Sequence, residues 1–265
     1  MNRKPYVAGK FYPLDVNELG DALNSYIDRV DNPVKIPAII VPHAGYVYSG
    51  KTAGALYSKI QIPQTVVIIG SNHTGAGKPI AVYPEGNWET PLGTVVVDSA
   101  TAKKICELSE YASADTTAHS CEHSIEVQVP FLQLLNPNVE IVPIAMGNYS
   151  IEAIEDLANA INKATDGKDV LFVASSDFSH YEPEYTAKAR DKMAINAIKD
   201  MDWRGLHEIT HKNELSLCGL GPIAVIIELA KSRGASAGKL ISYSNSGELS
   251  HDFSNVVTYA SIAFK

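Results

Sequence analysis

The chain has 265 residues, 45% of them apolar, 20% charged and 8% aromatic, with 14 Pro and 18 Gly. That composition belongs to a soluble globular protein long enough to bury its own core, so folding demands neither a disulfide nor a structural metal. Thirty acidic against 22 basic residues leave a formal charge of −8; with no basic cluster, nucleic acid and anionic membrane are excluded as expected partners.

The opening Met1-Asn2-Arg3-Lys4-Pro5-Tyr6-Val7 is basic but runs into no apolar segment, so no signal peptide is expected. Asp15 followed by Glu18 signals a capped helix that places Leu19, Leu23, Tyr26, Ile27 and Val30 on one face. Ile36 to Val41 reads as a buried strand, Thr52 to Ile60 as a helix and Thr65 to Ile69 as the next strand. Pro79 to Tyr83 and Thr94 to Asp98 read as strands joined around Pro91-Leu92-Gly93.

In the second half, Ile125 to Leu135 reads as a helix that Pro130 kinks or begins. Glu140 to Ala145 is a strand, Ile151 to Ala164 a helix and Val170 to Ala174 a strand. Helices are expected over Glu184 to Lys199 and Pro222 to Arg233, and strands over Leu240 to Ser244 and Val256 to Phe264. Leu215 to Ala230, the longest weakly charged apolar stretch, is too short to span a bilayer. Apolar strands separated by helices imply a sheet covered on both faces, hence one three-layer α/β/α domain over residues 1–265 with a largely parallel or mixed sheet. Cys106, Cys121 and Cys218 are an odd number with no Cys-x-x-Cys, which fits a reducing, cytoplasmic setting with thiols free or bound to metal.

Open α/β sheets bind ligands beyond the carboxyl ends of their strands. Three strands here end alike: Ile39-Ile40-Val41 runs into Pro42-His43, Val67-Ile68-Ile69 into Gly70-Ser71-Asn72-His73, and Leu171-Phe172-Val173 into Ser175-Ser176-Asp177-Phe178-Ser179-His180. A lone His after a strand is usually inert, but only eight histidines are available, and three parallel strands would bring three imidazoles into one crevice. Imidazole is a metal ligand and a proton carrier near neutral pH, and Cys218, in the loop before a helix, is the natural additional donor.

Two other motifs carry less. His207-Glu208-Ile209-Thr210-His211 matches H-E-x-x-H, yet it lies in a polar stretch with Gly205 inside it and no evident third ligand, so a solvated amphipathic helix is the expectation. Gly70-Ser71-Asn72-His73-Thr74-Gly75 has P-loop glycine spacing, but Ala76 stands where Lys is needed and Pro79 blocks the helix. In His119-Ser120-Cys121-Glu122-His123-Ser124-Ile125-Glu126, a helix would pair Glu122 with Glu126 and His119 with His123, either as a cluster beside the site or as a charged helix start.

Taken together, Val41-Pro42-His43-Ala44-Gly45-Tyr46, Gly70-Ser71-Asn72-His73, Glu122-His123-Ser124-Ile125-Glu126, Ser175-Ser176-Asp177-Phe178-Ser179-His180 and Cys218-Gly219 resemble the Memo family. The opening Val7-Ala8-Gly9-Lys10-Phe11-Tyr12-Pro13 and the closing Tyr243-Ser244-Asn245-Ser246-Gly247-Glu248 also fit it. The family is also called the AmmeMemoRadiSam system protein B family, after its genomic company with a radical-SAM protein. The resemblance implies a fold like that of the class III extradiol dioxygenases and a possible radical-SAM partner. It further implies metal binding by His43, His73 and Cys218, an acid–base role for His180 with Asp177 orienting it or a water, and a cavity lined by His123 and Glu122. Ser71 replaces an expected Pro, and His251-Asp252 an expected Gly-Asp; His251 is read as surface.

The dioxygenases hold iron with two His and a carboxylate; a Cys in the third place shifts preference towards softer ions, so catechol cleavage does not follow from the fold. The expected function is a metal-dependent redox enzyme using iron or copper on a small molecule or dioxygen. The alternatives are a non-catalytic module that recognises a peptide or partner protein in a vestigial cleft, and a zinc hydrolase. The sequence leaves the substrate and the oligomeric state open.

Overall fold

The computed structural model describes residues 1–265. Its first half comprises β1 (Asn2–Arg3), α1 (Val16–Tyr26), β2 (Ala38–Val41), α2 (Tyr46–Tyr57), β3 (Thr65–Ser71), β4 (Ile80–Val82), β5 (Asn87–Thr90), β6 (Gly93–Val97), α3 (Ser99–Leu108) and β7 (Ser113–Ala114). A 3-10 turn at Glu126–Gln128 leads into α4 (Val129–Leu135), followed by β8 (Glu140–Met146), α5 (Ile151–Ala164), β9 (Val170–Ser175) and β10 (His180–Glu182). The chain closes with α6 (Glu184–Lys199), α7 (Trp203–Asn213), α8 (Leu220–Ser232), β11 (Gly238–Asn245), α9 (Gly247–Ser250) and β12 (Val256–Phe264).

The centre of the sheet is parallel, in the order β6-β8-β3-β9-β2. These strands are continuously apolar because both faces are covered. α1, α2 and α4 pack with one another, and α2 also covers β11 and β12; α3, α5 and α8 form a second set, with α8 on β9, β2 and β3. β12 adds to β2 antiparallel and β11 adds to β12 antiparallel, so the sheet is mixed. No helix is long and apolar enough to cross a membrane.

Several boundaries differ from expectation for identifiable reasons. α2 begins at Tyr46 rather than Thr52, where the run of aromatic and β-branched residues conceals a helix. Its glycines serve packing: a Cβ on Gly50 would sit 2.6 Å from the Tyr26 ring, and one on Gly54 would sit 2.2 Å from the Tyr26 carbonyl oxygen. The hairpin around Pro91-Leu92 joins β5 to β6, whereas β4 pairs with β7 and the end of β8. β5 was not foreseen because Asn-Trp-Glu-Thr is not an apolar run. α3, capped by Asp98, was also not foreseen. Pro130 lies in the first turn of α4, so it starts that helix and does not kink it. Asp15 does cap α1, accepting from Asn17 N and Glu18 N.

Strand register sets the level of the site. Val41 is opposite Ser175, Ser175 opposite Gly70, and Ser71 opposite Met146. Three adjacent parallel strands therefore end together, and the residues that follow them share one crevice.

Candidate metal centre

His43 follows β2, His73 follows β3 and Cys218 precedes α8. One donor atom from each lies within 4.8 Å of the other two, and His43 Nε2 is 3.3 Å from Cys218 Sγ. The His43 and His73 rings meet edge to face at 5.1 Å. His123 stands 4.7 Å from His73 and 5.3 Å from His43 between ring centres, with Phe11 against it at 4.9 Å. His43 is buried and His73 is the exposed member.

Hydrogen bonds fix which nitrogen of His43 is free. The Gln128 amide nitrogen donates to Pro42 O and to Ser175 Oγ, each at 2.8 Å, and the amide oxygen accepts from Tyr57 Oη at 3.1 Å. The Ser175 hydroxyl donates to Ser124 O, so its oxygen can only accept from His43 Nδ1, 3.1 Å away. Nδ1 thus carries hydrogen, and Nε2 turns a lone pair towards Cys218. His73 Nδ1 donates to Glu122 Oε1 at 2.9 Å, and His180 Nδ1 to Ser216 O at 2.9 Å, which leaves Nε2 as the free donor on both rings as well.

Glu122 is the anchor of the middle loop. Its carboxylate accepts the backbone N–H groups of His73, His123 and Ser124 at 2.6, 2.9 and 2.9 Å. Burial raises its pKa, but the His73 hydrogen bond and charge, with those backbone donors, outweigh burial and hold it down at about 2. Burial pushes His43 well below its ordinary value, reinforced by the neighbouring His123, His73 and His180. His43 is therefore neutral, as a metal ligand must be. Burial pushes the Cys218 thiol up to about 12, with the Asp177 charge adding to it. The thiol faces His43 Nε2 and also Asp177 O at 3.5 Å, while Asp177 N donates to Sγ at 3.3 Å.

Asp177 Oδ1 accepts from His43 N at 2.8 Å. Burial raises this carboxyl to about 6 against the pull of the His43 amide and of His180. Asp177 therefore positions the His43 backbone and the thiol; Ser216, not Asp177, holds His180. His180, at the start of β10, pairs with Val257 of β12 and flanks the cluster.

The 119–126 segment is not the helix envisaged; turns precede the 3-10 turn at Glu126–Gln128, so His119 and Glu126 part from Glu122 and His123, which stay together at 3.4 Å. Glu126 turns away to the N-terminal segment: it pairs with Arg3 at 2.7 Å and accepts from Tyr6 N, Val7 N and Tyr12 Oη. Arg3 in turn donates to His119 O and Glu122 O, each at 2.7 Å. His119 is buried with Nε2 on Ala81 O. In the P-loop-like stretch His73 N donates to Glu122, Gly75 N to Asn72 Oδ1 and Ala76 N to Thr74 Oγ1, so these amides form no phosphate cradle. His251 is exposed, and all three cysteines are free thiols. α7 bears His207 and His211 as a helix, and no third ligand joins them.

Ser175, Gln128 and Ser216 went unforeseen as site residues. Only Ser175 carried a sequence signal: a hydroxyl at the end of an otherwise apolar strand, beside Ser176-Asp177. Gly219 must stay small, since a Cβ there would fall 2.3 Å from Ser176 Cβ. That close approach brings Cys218 to the strand ends.

Two imidazole nitrogens and one sulfur suit a tetrahedral transition-metal site. Bonds of about 2.0 Å to nitrogen and about 2.3 Å to sulfur at a tetrahedral angle separate N from S by about 3.5 Å, close to the 3.3 Å between His43 Nε2 and Cys218 Sγ.

Comparison with known proteins identifies the family. The "Memo-like protein" family profile matches residues 3–263. MEMO1 family proteins from Desulfurococcus amylolyticus and Aquifex aeolicus are each 42% identical, covering 99% of this chain and 98% of theirs. One from Nitrosopumilus maritimus is 41% identical over the whole of both chains. The crystal structure of an uncharacterized Escherichia coli K12 protein superposes with a TM-score of 0.57 at 14% identity, covering 87% of this chain and 100% of that one, which speaks to the fold alone. With its family profile matched from end to end and such relatives at full length, the chain belongs to the Memo family.

Proposed function

We propose that the chain is a metal-dependent redox protein in which His43, His73 and Cys218 hold an iron or copper ion, with zinc as the competing occupant. A small organic molecule or dioxygen is the proposed reactant. The observation that carries this reading is the meeting of His43 Nε2, His73 and Cys218 Sγ within 4.8 Å, with Nδ1 of both rings already committed to oxygen acceptors.

The bound ion would supply Lewis acidity and one-electron exchange. The chain does the rest. Glu122 holds His73 and three backbone N–H groups, and Asp177 the His43 amide, while the donor that gathers with both His43 and His73 is Cys218. Its thiolate takes the third place, and with it a preference for softer ions. Phe11 and His123 wall one side of the site. His180 keeps a free Nε2 because Nδ1 donates to Ser216 O, and it takes a proton from a bound hydroxyl and returns it.

The test compares protein reconstituted with Fe(II) and Cu(I) under anaerobic conditions, then exposed to dioxygen, against His180→Gln. Metal-dependent oxygen consumption that falls in His180→Gln while metal content is kept supports the reading. Ligand capture that persists after chelation, with no metal-dependent turnover, would replace it with a binding module.

A further inference from the structure

α7 carries a second pair of donors on the protein's surface. His207 and His211 lie one turn apart, their rings are 4.4 Å between centres, and their Nε2 atoms face each other at 3.3 Å. Apart from this contact, neither ring makes a hydrogen bond within the protein. We propose that His207 and His211 form a second metal site that takes a borderline divalent cation such as Zn2+, Ni2+ or Cu2+ through both Nε2 atoms.

The bite of the pair supports this. Two bonds of about 2.0–2.1 Å at angles between right and tetrahedral separate the two nitrogens by about 2.8–3.4 Å, and the observed 3.3 Å falls within that range. The i, i+4 spacing brings two side chains onto one helical face, and α7 is a firm platform for them. Asp202 caps it by accepting from Gly205 N, Trp203, Leu206 and Thr210 are buried beneath it, and it packs on α6 and α8. His211 lies in its last turn, where the partial negative charge of the helix end favours a cation. Of the neighbouring cations, Arg204 is already paired with Glu155.

The pair is not a hydrolase centre. No third protein donor gathers with the two imidazoles, as a catalytic zinc centre of this motif would need. The ion would keep its remaining positions for water or for a donor from another molecule. This site is independent of the strand-end cluster and stands or falls separately from it.

The test is a calorimetric titration with Zn2+ in Cys218→Ser, which disables the interior cluster, beside Cys218→Ser/His207→Gln and Cys218→Ser/His211→Gln. The expected result is one equivalent bound in the first protein and its loss in both double variants, with unchanged helical signal throughout. A parallel Cu2+ titration read by electron paramagnetic resonance is expected to show two-nitrogen coordination that disappears with either His. Equal Zn2+ binding in all three proteins, or no binding in Cys218→Ser, would overturn the proposal.

Discussion

Replacing Ser175 with Ala removes one buried oxygen that three groups depend on. His43 Nδ1 and one Gln128 N–H lose their acceptor, and Ser124 O loses its donor. Each stranded buried polar group costs about 1–3 kcal/mol; with partial relaxation the variant should lose about 2–5 kcal/mol of apo stability, measured by urea denaturation. The second effect bears on the site. Without Ser175 the His43 ring is free to take either tautomer, and loss of such an outer hydrogen bond typically costs about 10–100-fold in metal affinity, equivalent to about 1.4–2.8 kcal/mol. Competition titration with a chromophoric chelator would read that loss directly. Wild-type stability together with wild-type affinity would refute the hydrogen-bond chain from Tyr57 through Gln128 and Ser175 to His43.

Other consequences concern protons and the N-terminal anchor. Burial holds the Cys218 thiol at about 12 and keeps His43 neutral, so each bound ion displaces one proton from sulfur. Metal affinity should rise about tenfold per pH unit between about pH 7 and pH 9; a flat dependence would show that sulfur is not a ligand. Glu122, held at about 2 against an ordinary 4.5, contributes stability that is complete above the unfolded value and lost as pH falls from about 4.5 to about 2. That contribution is about 3 kcal/mol, and Glu122→Gln should flatten the corresponding part of the acid denaturation curve. Glu126→Gln strands the buried Arg3 charge, with an expected cost of about 3–5 kcal/mol. Hydrogen exchange should show the first dozen residues opening in that variant, and an unchanged exchange pattern would contradict the anchoring role of Glu126.

The sequence made legible what depends on local pattern. Apolar strands, helix periods and the Asp15 cap were readable. So was the meeting of His43 and His73, because parallel strands end on one side of a sheet; Cys218, which precedes α8 and follows no strand, was indicated by the family resemblance. The hidden parts depend on tertiary fit. α2 is masked by glycines whose purpose is contact with Tyr26, and β5 is a strand because it pairs, not because it is apolar. Glu122 and Glu126 look alike in sequence, yet one holds His73 and the other Arg3, a division made by the turn between them. Asp177, expected to orient His180, holds the His43 amide, and His180 is held by Ser216, which arrives from a segment far from it in sequence.

The central claim is tested most directly by metal content, measured by mass spectrometry on protein purified without oxygen or an affinity tag. Wild type, His43→Ala and Cys218→Ser would be compared in a His207→Gln background, so that the surface pair adds nothing. The account predicts about one equivalent of iron or copper in the reference protein and its loss in both variants. Metal retained in both, or none bound even after reconstitution, would contradict it.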